Sequence, residues 1–222
     1  MELTLLDLYQ KLRREMGPSG WWPADTKAEI IIGAILIQNT NWRNADRALA
    51  GLRQATALEP DRLLALPEAD LQALVRPAGF YKNKSRALVS VFSWLRRWDY
   101  DYSQIAAHFG PALRTQLLNL RGVGEETADV FLTYVFERPA FVADKYARTL
   151  FTHLGVTGLT DYRSLARRCP LPAEFTVEMA QDFHGLIDEF GKAYFHPRSR
   201  FAESFLAGDR LYLPDQSPAG KN

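Results

Sequence analysis

Apolar residues recur at helical spacing along almost the whole chain, and no stretch alternates persuasively like a strand. That pattern constrains the fold most, and it predicts an all-α protein. Leu5, Leu8, Tyr9 and Leu12 mark the apolar stripe of a first helix that Gly17-Pro18 should end. In "WWPAD", Pro23 restricts the chain, and Asp25 or Thr26 offers an N-cap. A buried helix then runs to about Gln38, and "NWRNADRALAGLR" continues as an amphipathic one with Ala45, Leu49 and Leu52 inward. Short helices are expected over 58–65 and 68–74, a long one over 84–98, and two more short ones before Leu120. The remainder, from "EETADVFLTYVF" to "FHGLIDEFGKAYF", reads as helical, with no internal repeat and a disordered tail after Pro214.

At 222 residues and 47% apolar, the chain can bury a core for one large domain or two intimate ones. A net charge of +1 gives no global mark of a nucleic-acid binder, so any basic footprint must be local. One exists: Arg76, Lys82, Lys84, Arg86, Arg96 and Arg97 fall between 76 and 98 with no acidic residue among them. The single cysteine, Cys169, excludes an intramolecular disulfide, a four-cysteine iron–sulfur site and a Cys-rich zinc site. Its expected role is a small apolar core residue. The four histidines lack ligand spacing, so no transition metal is expected. The N-terminus does not read as a secretory signal, and the apolar run Ile30 to Ile37 is too short to span a bilayer. These features predict a soluble cytoplasmic protein without membrane contact, and nothing in them favours an oligomer over a monomer.

"LRGVGEETAD" carries the chemistry. It reads as a tight Gly122-Val123-Gly124 turn between two helices. Glycines permit positive φ and close backbone approach, and the amides at the following helix start favour an anion. Such a turn can grip a DNA phosphate through main-chain donors, without lysines. Glu125 and Glu126 are then tolerable, because a carboxylate is welcome at a helix N-terminus.

The segment 117–155 resembles the helix-hairpin-helix DNA glycosylase superfamily that includes endonuclease III. The family's hairpin, proline turn, aspartate, arginine and terminal Leu-Gly fall here on Gly122-Val123-Gly124, Pro139, Asp144, Arg148 and Leu154-Gly155. The likeness extends from about Ala28 through Phe195. It implies two helical subdomains with the site in a cleft: residues 26–137 bearing the hairpin, and 1–25 plus 138–208, with 209–222 as a tail. It also implies that Asp144 is the catalytic carboxylate as well as an N-cap. The family's strand-cutting lysine position holds Glu126, which cannot form an imine, so the lyase step should be absent. Lys145 departs from the commoner threonine of the family. No cysteine follows Phe195 to hold an iron–sulfur cluster. These departures resemble the compact 3-methyladenine DNA glycosylase III branch. The resemblance leaves room for a monovalent cation at the hairpin carbonyls and implies no other cofactor.

The expected partner is duplex DNA with alkylated bases, and the expected reaction is flipping and hydrolytic release of an alkylated purine, 3-methyladenine foremost. A cationic purine needs electron-rich ring faces, for which Trp21, Trp22, Pro23 and Trp42 are candidates, with core packing as their alternative. Lys192 is a weak candidate for the pocket mouth, where it would repel a cationic base unless neutralised or turned away. On the DNA side, Phe80 or Tyr81 is a candidate wedge, and Gln38 or Asn39 a candidate filler of the vacated stack. Lys84, Gly122 and Gly124 are candidate backbone contacts. Two competing readings stay open: a glycosylase for an oxidised or mismatched base, and a non-catalytic lesion-binding protein.

Overall fold

The computed structural model describes residues 1–213 and is all-α apart from one two-residue strand pair. The expected tail after Pro214 lies outside the described residues. The chain divides into two compact units, Ala24–Phe136 and a second made of Met1–Pro23 with the chain from Glu137 onward.

The Ala24–Phe136 unit holds α2 (Lys27–Leu36), α3 (Trp42–Thr56), α4 (Pro60–Ala65), α5 (Glu68–Val75), α6 (Tyr81–Arg96), α7 (Tyr102–Phe109), α8 (Leu113–Leu118) and α9 (Glu125–Tyr134). Thr26, rather than Asp25, caps α2: its hydroxyl accepts from the Glu29 amide at 3.1 Å. Helix α2 packs against α3, α6 and α9. Ile31, Ile32, Ile35 and Leu36 are at most 1% exposed, so each contributes roughly 1.5–3 kcal/mol of burial. Buried Glu29 ion-pairs with Arg53, tying α2 to α3. Helix α4 starts later than expected, at Pro60, because Ala57 and Leu58 both take positive φ ahead of it. Helix α6 starts earlier than expected, because Gly79 (φ 71°) and Phe80 (φ 46°) make the turn that precedes it.

The second unit holds α1 (Leu5–Met16), α10 (Lys145–His153), α11 (Tyr162–Ala166) and α12 (Val177–Phe195). Helix α12 packs against both α1 and α10 around Leu8, Leu12, Phe151, Phe183 and Phe190. Close approach of α10 to α12 requires Gly191, where a Cβ would sit 2.2 Å from the Tyr146 ring. Cys169 belongs to this core, and burial pushes its thiol up to about 12. The tail expected from 209 is ordered over its first residues. Strand β1 (Glu2–Leu3) pairs in parallel with β2 (Arg210–Leu211), and Leu211 and Leu213 are buried. Asp209 meets Lys11 at 2.5 Å and the chain's terminal amine at 3.2 Å. Two-residue strands are too short to display alternation.

Candidate active site and DNA interface

The hairpin's two glycines differ in kind. Gly122 has φ +79°, and a Cβ there would lie 2.4 Å from the Ala87 Cβ on α6. Its glycine is demanded by the fold. Gly124 has φ −88°, and nothing approaches within 4 Å of a Cβ built on it. It opens α9 with no side-chain cap, whereas α1, α2, α3, α10 and α12 are all capped by a side chain. Gly124 thus places no side chain of its own over the start of α9, which suits an approaching phosphate. Asp129 on α9 accepts a two-point bond from Arg114 on α8, at 2.7 and 2.8 Å, and braces the helices behind the turn.

A recess of about 280 Å³ beside the hairpin brings together Gln38, Asn39, Phe80, Asn83, Lys84, Arg121 and Gly122. Gln38 is engaged: its amide donates to the Gly122 carbonyl at 3.0 Å and to the Thr127 hydroxyl at 2.9 Å. Asn39, at φ 51°, is exposed at its edge. Phe80 is 66% exposed in a left-handed conformation that a bulky residue rarely adopts. Burial gives no reason for that ring, which fits the wedge expectation. Tyr81 is instead half-buried beneath the Arg76 guanidinium, 4.7 Å from its ring centre. Arg121 and Asn83 were missed as lining residues, although an arginine directly before Gly122 was legible.

Lys84 requires correction. It is 2% exposed, and its ammonium donates to the Leu36 and Ala78 carbonyls, each at 2.8 Å. It ties the end of α2 to the turn before α6, so it is a structural lysine and not a surface phosphate contact. The basic run therefore has a member inside. Burial lowers its pKa from 10.5 to about 8. Between those values the unfolded chain holds a proton that the native chain has lost, so this group makes stability rise with pH across that window. Below about 8 both states are protonated, and its slope vanishes. Denaturant titrations from pH 7 to 9.5 should show this rise in the wild type but not in Lys84→Met; identical slopes would count against the assignment.

The other unit carries the carboxylate and two tryptophans. Asp144 precedes α10 and accepts from the Ala147 amide at 2.7 Å, so its oxygen is fixed by the cap it makes. Tyr146 lies beside it. Burial raises the phenol's pKa, and Asp188 and Asp144 raise it further, so two carboxylates act on one hydroxyl. Trp21 is placed by a chain of contacts: the Asp182 carboxylate accepts from the Ser19 amide at 2.7 Å, and the Ser19 hydroxyl accepts from the Trp21 amide at 3.3 Å. Gly185 lets the indole rest on α12, since a Cβ there would lie 2.4 Å from Trp21 Cδ1. Trp22 meets Trp21 edge-to-face at 4.9 Å, and both are half-buried. Pro23 is exposed and closes this unit's first segment.

Lys192 is neither remote from Trp21 nor uncompensated. Its ammonium lies 5.1 Å from the Trp21 ring centre and ion-pairs with Asp188. Burial pushes the Asp188 carboxyl up, and Lys192 opposes the shift. His184 sits 6.1 Å from Trp21 and is pushed down to about 4 by burial and by Lys192, so it is neutral at ordinary pH. Trp42 belongs to the Ala24–Phe136 unit, where it opens α3 at 41% exposure. Among the described residues, no three His, Cys, Asp or Glu side chains converge on a metal position, and no helix is long and apolar enough to cross a membrane.

A helix-hairpin-helix whose turn carries two glycines, followed by a helix-capping aspartate, defines a class of DNA repair glycosylases. Residues 32–170 match that class, and the chain belongs to the HhH-GPD superfamily of base excision DNA repair proteins. A Methanocaldococcus jannaschii protein described as a candidate DNA repair glycosylase is 35% identical over 84% of this chain and 86% of its own. The endonuclease III of Thermotoga maritima is 25% identical over 78% of this chain and 77% of its own. Among solved structures, H. pylori 3-methyladenine DNA glycosylase (MagIII) bound to 1,N6-ethenoadenine superposes with a TM-score of 0.69 at 26% identity, covering 86% of this chain and 98% of that one. An endonuclease III–DNA complex superposes at 0.70 and 19% identity, covering 92% and 94%, a likeness of fold. The all-α fold, the glycosylase class and DNA as the macromolecular partner follow from these findings.

Proposed function

We propose that this glycosylase is monofunctional and removes alkylated purines, 3-methyladenine foremost, by water attack assisted by Asp144. The observation that carries the reading is the cation resting on Trp21. An indole that already accepts the Lys192 ammonium at 5.1 Å, beside a neutral histidine, is chemically suited to a positively charged base. Asp144 belongs to the same unit, where its carboxylate can stabilise the positive charge that develops on the sugar. The likeness to H. pylori 3-methyladenine DNA glycosylase supports the same substrate class.

The lyase step is excluded from this reading by Glu126, exposed on the first turn of α9, since a carboxylate forms no imine. One cysteine, buried at 1% exposure, does not fit an iron–sulfur cluster, which takes four thiolates. We likewise read the active form as a monomer. A monovalent cation at the hairpin remains part of the proposal, although the Gly122 carbonyl is already taken by Gln38.

The test is release of free base from methylated duplex DNA. Release of 3-methyladenine with an intact abasic strand is expected; release of uracil or 8-oxoguanine alone, or strand cutting through an imine trapped by borohydride, would defeat the proposal. In the same assay, Lys192→Met should raise kcat/KM for 3-methyladenine release about fivefold, because the base no longer has to displace an ammonium whose contact with Trp21 is worth ~1 kcal/mol. An unchanged kcat/KM would remove the Lys192–Trp21 contact from substrate binding.

A further inference from the structure

The Ala24–Phe136 unit has a second recess, of about 540 Å³, on the side of α6 facing α4 and α5. Its walls are aliphatic: Leu64 and Leu66 from the α4 end, Leu71 from α5 and Val89 from α6. Val89 is one of the few large apolar side chains left substantially exposed, at 41%. Two guanidiniums, of Arg86 and Arg121, stand at this wall, and neither has an ion-pair or side-chain hydrogen-bond partner among the described residues. Ser85, only 2% exposed, lines the same recess, and its hydroxyl has no hydrogen-bond partner.

Apolar walls and two unpaired arginines together specify an occupant with an apolar side chain and an adjacent carboxylate. We infer that this groove docks an acidic, leucine- or phenylalanine-bearing segment of a partner protein. The volume lies within the range of about 300–1,000 Å³ typical of ligand-accepting recesses, and a mostly apolar lining with few polar groups is their usual make-up. Arginine at such a rim matches a carboxylate with two parallel donors. DNA is the poorer occupant, because a phosphate on the guanidiniums would leave the four aliphatic side chains of the groove uncovered. The groove nevertheless adjoins the hairpin: the Arg121 amide donates to the Ser90 hydroxyl at 3.2 Å, and the next residue is Gly122. A partner seated here therefore sits next to the residues that meet the DNA backbone. The inference rests on this groove alone and stands whatever base the enzyme removes.

The test is selection from a random dodecapeptide library on the immobilised protein, depleted on the Val89→Asp variant. Enriched peptides should pair leucine or phenylalanine with Asp or Glu. The leading labelled peptide should bind with a micromolar Kd by fluorescence anisotropy. That affinity should weaken at least tenfold in Val89→Asp and in Arg86→Ala and stay unchanged in Gly124→Ala. Because Val89 is already exposed, its variant should keep the wild-type Tm. No enrichment over the variant, enrichment of peptides without acidic residues, or wild-type affinity in either groove variant would each overturn the inference. So would a tenfold loss of undamaged-duplex affinity in Val89→Asp, which would make the groove a flank of the DNA interface.

Discussion

Asp144→Asn should lose base release by about 10²–10⁴-fold while the protein keeps its fold and its affinity for lesion DNA. The two roles of Asp144 separate in this variant. As an N-cap it accepts the Ala147 amide, and asparagine caps a helix about as well, so Tm should move little. As a carboxylate it supplies charge that asparagine lacks, and only that is removed. Asp144→Ala would confuse the two, since losing the cap costs about 1 kcal/mol on its own. Single-turnover release, duplex binding and thermal unfolding, measured together on Asp144→Asn, decide the matter. Unchanged turnover would leave Asp144 as a cap alone; lost binding in step with lost turnover would point to a site for recognition rather than chemistry.

The hairpin glycines should respond in opposite ways to the same one-carbon change. Gly122→Ala places a side chain at φ +79° and drives its Cβ to 2.4 Å from the Ala87 Cβ, with the Ala87 Cα at 3.3 Å. Left-handed strain of about 1–2 kcal/mol adds to an overpacking cost of about 1–3 kcal/mol. A loss of roughly 2–5 kcal/mol would lower Tm by on the order of 5–15 °C. The companion change Ala87→Gly should restore the steric part and not the backbone part. Gly124→Ala meets nothing within 4 Å and an ordinary φ, so stability should shift by no more than about 1 kcal/mol. Its methyl group would instead stand where a phosphate approaches, and affinity for duplex DNA should fall about tenfold. Denaturant unfolding and duplex titration on the two variants check this pair. Two stable variants with equal DNA affinity would refute the phosphate role of the turn.

Much of this was legible before the coordinates. Helical spacing gave every long helix because burial at three- and four-residue intervals is periodic in the sequence itself, as in Leu5, Leu8, Tyr9 and Leu12. Element starts were less legible where positive φ fell on residues with no glycine signal, as at Ala57, Leu58 and Phe80. The β1–β2 pair joins the two ends of the described chain, a contact that no local pattern encodes. At the site, Gly122 could be read because a tight turn at positive φ favours glycine, and Asp144 as an N-cap because a carboxylate before a helix accepts its amides. The catalytic role of Asp144 came from the family resemblance. Lys84 was misread because a lysine in a basic run looks solvated, and only three-dimensional packing shows two carbonyls converging on it. Gln38 or Asn39 was read as a filler of the DNA stack; the structure bonds Gln38 to the hairpin carbonyl and leaves Asn39 exposed. The Asp182–Ser19–Trp21 chain spans 163 positions and left no trace in spacing.

The ammonium on Trp21 changes what binding means for a charged guest. Under the proposed function, a methylated purine arriving at that indole would not add a cation to a vacant ring; it would swap with one. The ring's own attraction then nearly cancels from the balance, since it is given up to one positive charge as it is taken by another. What remains is the difference in how willingly each cation leaves water. An ammonium is compact and strongly hydrated, and Lys192, with 54% of its side chain exposed, can return to solvent without unfolding anything. A flat purine with its charge spread over two rings surrenders less hydration on entering. A neutral base has nothing to exchange, so the lysine acts as a competitor that only a positive guest displaces on equal terms.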